Sequence, residues 1–192
     1  KKARILAEAL TLFSTRGYVA TSLADIARAS DISKAGLLHH YSSKDQLLAA
    51  VLDERDRRTM SRLPDGDKGT EAALDAWVEI VAHNQRHPDG VALYTAMSAA
   101  VIDASHQAYP WFRQHLMATI EYLVDTLERG KAAGEVHPDA PSEQIARKLV
   151  ALSDGLQVQW LCSRADGGRD VDMHAVTAGV VSDIKDRWLV RS

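Results

Sequence analysis

The sequence predicts an all-α fold of about nine helices, and three observations support this prediction. Apolar residues recur at helical spacing along nearly the whole chain. Glycine and proline, 11 and 5 of the 192 residues, stand mainly between these amphipathic stretches, where helices end. The alternating pattern of a strand does not stand out anywhere in the sequence. We therefore predict a small N-terminal domain of three helices, residues 1–48, joined to a larger helical domain, residues 49–192.

The individual helices follow from their caps and breakers. The first carries an apolar stripe from Ile5 to Phe13 and ends at Gly17. Hydroxyl residues stand where the next three helices begin: Thr21 or Ser22, Ser33, and Ser42 or Ser43. The fourth helix runs from 44 to near 63, and five further helices are predicted at about 70–87, 89–104, 108–133, 142–162 and 172–190.

Composition limits the classes of protein to which the chain can belong. Cys162 is the single cysteine, so no internal disulfide can form and a reducing cytoplasm is expected. The sequence contains no apolar run of membrane-spanning length. The net charge of −3 is unevenly distributed, because residues 1–48 hold seven basic and four acidic side chains, a net charge of +3. A basic head on an acidic body is typical of a protein that approaches phosphates with one face.

The helix pair within residues 21–44 has the polar ends of a DNA-binding helix-turn-helix. In that motif the second helix enters the major groove by its N-terminal residues, while the first crosses the backbone. Small residues at the start of the second helix would let it lie deep in the groove, and Lys34 can reach guanine or phosphate. The predicted DNA contacts are Thr21, Ser22, Ser33, Lys34, Ala35, Gly36, His39, His40, Tyr41 and Lys44.

The N-terminal residues also resemble a known family. The motifs that carry this resemblance are Ala9-Leu10-Thr11-Leu12-Phe13, Gly17-Tyr18, Thr21-Ser22, Asp25-Ile26-Ala27, Ile32-Ser33-Lys34 and His40-Tyr41-Ser42-Ser43-Lys44. Together they resemble the N-terminal domain of the TetR family of bacterial one-component transcriptional repressors. The resemblance covers about the first 50 residues. The rest of the chain is similar to the family in the number and order of its helices, and residues 154–161 resemble a C-terminal type common in actinobacterial members.

The resemblance implies particular roles within the helix-turn-helix. Phosphate contacts are implied at Thr21 or Ser22, His40 and Lys44. Base contacts are implied at Ser33, Lys34, Ala35 and His39. One position departs from the family pattern, because Leu38 stands where the family usually has a tyrosine that contacts a phosphate. A leucine side chain cannot make that contact.

Large side chains with a few polar groups among them recur on the middle helices and predict a small-molecule site. From the residues alone, each could equally fill a core. The resemblance favours a site, since these helices hold the inducer in the family, and we expect a small, largely hydrophobic or aromatic ligand. The predicted pocket residues are Trp77, Ile80, Asn84, Tyr94, Met97, Val101, Trp111, Phe112, His115, Thr119, Tyr122, Gln157 and Trp160.

The last two predicted helices each carry an apolar stripe, and such a stripe must be buried. Two helix pairs of this kind can form a four-helix bundle across a two-fold axis, although a stripe can equally face its own subunit. The stripes predict a homodimer interface at Ile145, Leu149, Leu152, Leu156, Met173, Val176, Val180 and Ile184.

Catalytic and metal chemistry are not expected. His83 and His87 are four residues apart, which can place two imidazoles on one ion, but no further residue completes a ligand set. The sequence has no glycine-rich phosphate loop, nucleophile elbow or paired carboxylates. We predict no cofactor, no metal and no enzymatic activity.

These observations predict a dimeric transcriptional regulator that leaves a palindromic operator when a small-molecule inducer binds. Two alternatives remain open at this stage. One is a constitutive DNA-binding regulator whose C-terminal domain only dimerises. The other is a helical carrier or enzyme that keeps the helix-turn-helix as a scaffold, and the basic head argues against it.

Overall fold

The computed structural model describes residues 1–64, 68–165 and 171–190, apart from the side chains of residues 100, 101 and 165. These residues form nine α-helices and one 3₁₀ helix, Ala99–Ile102, which confirms the all-α class. The helices are α1 (Lys2–Arg16), α2 (Leu23–Ala29), α3 (Lys34–His40), α4 (Lys44–Met60), α5 (Gly69–Gln85), α6 (Pro88–Ser98), α7 (Tyr109–Ala132), α8 (Ser142–Ala165) and α9 (Met173–Trp188).

α4 and α6 end three to six residues before their predicted ends. α4 ends at Met60 because the amides of Arg62 and Leu63 donate to carbonyls only three residues back, and Pro64 has no amide to continue the helix. α6 ends at Ser98, and the chain continues as the 3₁₀ helix.

The chain divides into two compact units. Unit 1 comprises Lys1–Arg58 and His87–Arg113, and unit 2 comprises Thr59–Arg86 and Gln114–Ser192. Unit 1 therefore contains α6 as well as the predicted DNA-binding helices. The predicted domain boundary after residue 48 marks the helix-turn-helix module rather than a division in packing, and it stays a prediction.

One apolar cluster holds unit 1 together. Phe13 of α1, Leu37 of α3, Leu48 of α4, Leu93 of α6 and Phe112 of α7 are all buried within it. Helices α2 and α3 have seven residues each, and helices this short are not stable alone. Their position therefore depends on this shared cluster.

The described part of unit 2 packs around a second apolar cluster, formed by α5, α7, α8 and α9. Lys185 of α9 forms an ion pair with Asp75 of α5 at 2.6 Å. Beyond α9, the amide of Val190 donates to the carbonyl oxygen of Glu135, which joins the end of α9 to the loop after α7. No helix among the described residues is long and apolar enough to cross a membrane.

Gly130 allows α5 to approach α7 closely. A Cβ atom at Gly130 would clash with the hydroxyl oxygen of Thr70 and would lie 2.6 Å from a methyl carbon of Val136. At Gly90 in α6, a Cβ atom would lie 3.8 Å from Arg55, which is ordinary van der Waals contact.

We expect Gly130→Ala to lower the free energy of unfolding by about 1–3 kcal/mol, because the added methyl overpacks the contact with Thr70. Gly90→Ala is the matched control, and it should raise stability by up to ~1 kcal/mol because alanine is the better helix former. Urea unfolding of the two variants measures both effects. An equal rise in stability for both variants would contradict the close approach of α5 and α7.

Candidate DNA, ligand and dimer sites

The exposed side of α3 presents a mixed polar and apolar surface. Leu37 is buried, whereas Lys34, Ala35, Leu38 and His39 are exposed. We call these four exposed residues the recognition face. The hydroxyl of Ser33 accepts a hydrogen bond from the Gly36 amide at 3.0 Å and so caps the helix. Ser33 and Gly36 therefore shape the start of α3, and the recognition face supplies its exposed side chains.

The sequence analysis did not assign Leu38 to base recognition. In the structure it is one of the exposed large hydrophobic residues, with 39% of its surface exposed. An apolar residue at this position of a recognition helix can contact the methyl group of thymine. The signal was present in the sequence, because Leu38 lies three residues after Ala35 on the same helix face.

The start of α2 is fixed by a capping box. The Ser22 hydroxyl accepts from the Asp25 amide at 3.1 Å, and the Asp25 carboxylate accepts from the Ser22 amide at 3.1 Å. These hydrogen bonds from the Ser22 hydroxyl and amide lower the pKa of Asp25, so its carboxylate is ionised at neutral pH. Ser22 remains exposed beside this carboxylate.

Two predicted DNA contacts, Thr21 and Tyr41, have side chains that are largely buried. Thr21 is 1% exposed, and its hydroxyl donates to the carbonyl oxygen of Gly17 at 2.8 Å and also lies 3.2 Å from that of Leu12. Tyr41 is buried in the apolar cluster of unit 1. Both side chains therefore contribute to the fold of the module, and their contact with DNA stays a prediction.

Lys44 closes the turn between α1 and α2. Its ammonium group donates to the carbonyl oxygens of Tyr18 at 2.8 Å and Thr21 at 3.0 Å, and it lies 4.2 Å from the centre of the Tyr18 ring. The Tyr18 hydroxyl donates to the Asp45 carboxylate, and burial together with this hydrogen bond raises the pKa of Tyr18. Lys44 is half-buried, as is His40 at the end of α3.

The predicted pocket residues fall into two groups. Tyr94, Met97, Trp111 and Phe112 belong to unit 1 and pack with its apolar cluster. The Trp111 indole donates to the Asp53 carboxylate at 2.8 Å, and Phe112 is 1% exposed. Tyr94 and Phe112 are part of the core that supports the DNA-binding helices, and their assignment to a pocket wall stays a prediction. The side chain of Val101 lies outside the described residues.

The remaining predicted pocket residues lie in unit 2. Ile80, Trp77, Thr119, Gln157 and Trp160 are buried. Asn84, His115 and Tyr122 are half-buried, and the Tyr122 hydroxyl donates to the carbonyl oxygen of Pro64 at 3.1 Å. Polar atoms of Trp77, Thr119 and Gln157 have no hydrogen-bond partner among the described residues.

Four predicted dimer contacts are wrong, because they face their own subunit. Ile145, Leu149, Leu156 and Met173 are between 0 and 4% exposed. The apolar periodicity of α8 and α9 therefore marks the sides that pack within unit 2. Of the other predicted contacts, Leu152, Val180 and Ile184 are half-buried, and Val176 is 44% exposed.

A different side of α8 and α9 is exposed and carries mainly small residues. On α8 the exposed residues recur at helical spacing, and on α9 they lie three residues apart: Ala151, Gly155, Val158 and Cys162 on α8, and Val176 and Gly179 on α9. We call these six residues the interface stripe. A Cβ atom at Gly155 or Gly179 would meet no other atom within 4 Å, so the stripe is open.

The described residues contain no group of three or more potential metal ligands.

The structure predicts different effects for two neighbouring hydroxyl residues. We expect Thr21→Val to lower the free energy of unfolding by about 1–2 kcal/mol, because the carbonyl oxygens of Gly17 and Leu12 lose a buried donor. Thr11→Val, at an exposed position on α1, is the control and should change stability little. Duplex DNA affinity, corrected for the folded fraction, should stay unchanged in Thr21→Val. Loss of affinity at unchanged stability would restore Thr21 as a DNA contact.

Comparison with known proteins agrees with this geometry. Residues 5–51 match the family model described as bacterial regulatory proteins, tetR family. The HTH-type transcriptional regulator UidR of Escherichia coli K12 is 24% identical over 155 residues, which cover 81% of this chain and 79% of UidR. The HTH-type transcriptional repressor AcnR of Corynebacterium jeikeium is 28% identical over 156 residues, with the same coverage of the two chains.

Solved structures share the fold. A transcriptional regulator from Saccharomonospora viridis, solved in complex with choline, has a TM-score of 0.70 at 21% identity and covers 99% of this chain and 98% of its own. The family model, the relatives of similar sequence and the shared fold all indicate similarity to transcriptional regulators. Residues 5–51 therefore match the DNA-binding domain of the TetR family of transcriptional regulators, and the whole chain shares the fold of solved regulators of this kind.

Proposed function

We propose that the chain is a homodimeric repressor that binds a palindromic operator through α3 and is released when a small molecule enters unit 2. The observation that carries this proposal is the exposed recognition face on a helix whose other side is buried in the core of unit 1. A helix fixed in this way can enter a major groove without rearranging its own packing.

The recognition face combines three kinds of base contact. The Lys34 ammonium suits the acceptors of guanine, and the side chains of Ala35 and Leu38 suit a thymine methyl group. His39 is exposed at the same surface and can donate to a base or a phosphate. Lys44 contributes charge beside the turn that it closes, although its hydrogen bonds to Tyr18 and Thr21 hold it close to the protein.

Dimerisation through the interface stripe supports recognition of a palindrome. Small residues let two helix pairs approach closely, and Val158 and Val176 offer apolar surface that a second copy would cover. Two recognition helices related by a two-fold axis then contact half-sites about one helical turn apart.

The path of α4 and α7 through the chain is consistent with release of DNA when a ligand binds. α4 and α7 each begin in unit 1 and end in unit 2, so they belong to both units. A ligand that prefers one arrangement of unit 2 can act through these two helices on the position of α3. A coupling of about 1–3 kcal/mol between the two sites is enough for a regulatory response. The choline complex of the related fold shows a small molecule bound to that protein, and it supports ligand binding here by analogy.

Selection of duplexes from a random pool tests the proposed function. The purified chain should enrich one palindromic sequence, and its affinity should fall steeply as salt rises, with log K falling by about 0.9 per decade of salt for each phosphate contacted. A compound that binds tightly should release the selected duplex, and the duplex should weaken binding of the compound by the same factor. Enrichment without release by any tight-binding compound would favour constitutive binding, and no enrichment would refute the DNA proposal.

Two substitutions in the recognition face should have separable effects on the selected duplex. Lys34→Ala should weaken binding about tenfold and relax preference at one guanine. Leu38→Ala should reduce the preference for one thymine over uracil, which lacks the methyl group, and should leave the salt dependence unchanged. Lys68→Ala, an exposed basic residue of unit 2, is the control. Equal losses for every base substitution in the Leu38→Ala protein would contradict the methyl contact.

A substitution at Gly155 tests whether the interface stripe forms the dimer interface. Gly155→Arg places a charged side chain in the interface stripe without a clash inside its own subunit, so the protomer should stay folded and become monomeric. Glu121→Arg, at an exposed position on α7, is the matched control and should remain dimeric. Analytical ultracentrifugation distinguishes the two species. A Gly155→Arg protein that sediments as a dimer would show that the interface lies elsewhere.

A further inference from the structure

Unit 2 contains a group of buried polar side chains that its own fold does not satisfy. Five atoms have no hydrogen-bond partner among the described residues: the Trp77 indole nitrogen, the hydroxyls of Thr119, Ser153 and Thr177, and the Gln157 side-chain oxygen. Each of these five side chains is at least nine-tenths buried. We call them the polar layer.

Contacts near the helix ends place these five residues at neighbouring levels of the bundle. Thr70 at the start of α5 contacts α7 near its end, at Thr126 and Gly130, and Trp77 and Leu123 from further along the two helices share the second apolar cluster, so α5 and α7 run antiparallel. Ser142 at the start of α8 donates to Glu128 near the end of α7 at 2.5 Å, and Leu149 shares that cluster with Leu123, so α7 and α8 also run antiparallel.

The ninth helix joins the same arrangement. Lys185 pairs with Asp75, and the His174 amide donates to the Gln85 side chain at 3.1 Å, so α9 runs antiparallel to α5. At a rise of ~1.5 Å per residue, the polar layer then occupies about 12 Å along the bundle. Trp77 belongs to the second apolar cluster, and Thr119, Ser153 and Thr177 each lie one helical turn from a member of that cluster: Leu123, Leu149 and Val181.

Other helical hydroxyls in unit 2 behave differently. Thr126 donates to the carbonyl oxygen of Tyr122 at 2.8 Å, and Ser163 donates to that of Trp160 at 2.9 Å. Such local bonds are the usual solution for serine and threonine inside helices. The hydroxyls of Thr119, Ser153 and Thr177 do not make them, and a buried polar group without a partner is destabilising.

The fully buried neighbours of the polar layer on its own helices are apolar, and the half-buried His115 and Asp154 lie one turn from Thr119 and Gln157. Ile80, Leu156, Trp160 and Met173 are buried on the same helices. The buried polar residues of the described chain are serines, threonines and a glutamine, with no buried aspartate, glutamate, lysine or arginine among them. A charged group placed here would be desolvated without a fully buried counter-charge, which is unfavourable.

We propose that the polar layer binds an uncharged small molecule with an apolar body and at least one carbonyl or hydroxyl oxygen. The oxygen accepts a hydrogen bond from the Trp77 indole, and the hydroxyls of Thr119, Ser153 and Thr177 donate or accept as the ligand requires. Gln157 supplies one further partner at the end of the layer. This assignment rests on the proposed ligand-controlled function and specifies the chemical class of the ligand.

The test uses the full dimer and four probes that share a phenyl ring: benzamide, benzoate, benzylammonium and ethylbenzene. Nitrogen–proton NMR spectra report the indole N–H of Trp77, which is one of four tryptophans and is assigned from the Trp77→Phe variant. Benzamide should shift this resonance saturably. Benzoate and benzylammonium should bind at least tenfold more weakly, and ethylbenzene should leave the indole proton unshifted.

Substitutions in the polar layer test which side chains contact benzamide. Thr177→Val and Gln157→Met keep the side-chain volume and remove the polar atoms, and each should weaken benzamide binding about tenfold while the protein stays folded. Ser163→Ala on α8, which removes a hydroxyl already bonded to its own helix, should bind benzamide as the unmodified chain does.

Three results would overturn the proposal. They are equal or tighter binding of a charged probe, the absence of any saturable shift with benzamide, and a benzamide-soaked crystal structure with only water on the five polar atoms. These measurements use no DNA. Failure here leaves the duplex selection intact, and failure of the duplex selection leaves the probe result intact.

Discussion

The DNA-binding helices depend on the apolar cluster of unit 1. α2 and α3 have only seven residues each, and Leu37 is the residue through which α3 enters that cluster. Leu93 and Phe112, from later in the chain, complete the same cluster. The position of the recognition face is therefore set by helices that lie outside the helix-turn-helix sequence. The turn before α2 is held separately, by the Lys44 ammonium and the Thr21 hydroxyl.

The fold class was predictable from the sequence because helix caps and breakers are local signals. Ser22 with Asp25, and Ser33 with the Gly36 amide, form the caps that their spacing predicts. The roles of Thr21 and Tyr41 were not predictable in this way. A threonine beside a helix start can bind a phosphate or close a turn, and only the three-dimensional position of the Gly17 and Leu12 carbonyl oxygens decides between these roles.

The same limitation explains the errors in the body of the protein. Apolar periodicity identifies the buried side of a helix and carries no information on which chain buries it, so Ile145 and Leu149 were assigned to the wrong contact. The burial of Tyr94 and Phe112 does not distinguish a core from a pocket wall, because aromatic residues line both. The polar layer shows the opposite case, since Ser153 and Thr177 carry no sequence signal and become informative only when their burial and missing partners are known.

The central claim is that α3 and the start of α2 form the DNA-contacting surface. Mapping amide shifts on a nitrogen-labelled dimer bound to its selected duplex tests this claim most directly. The account predicts the largest shifts at residues 22–25 and 33–40, with small changes at the interface stripe and in the polar layer. Shifts concentrated in α5, α8 or α9, with residues 33–40 unaffected, would contradict it.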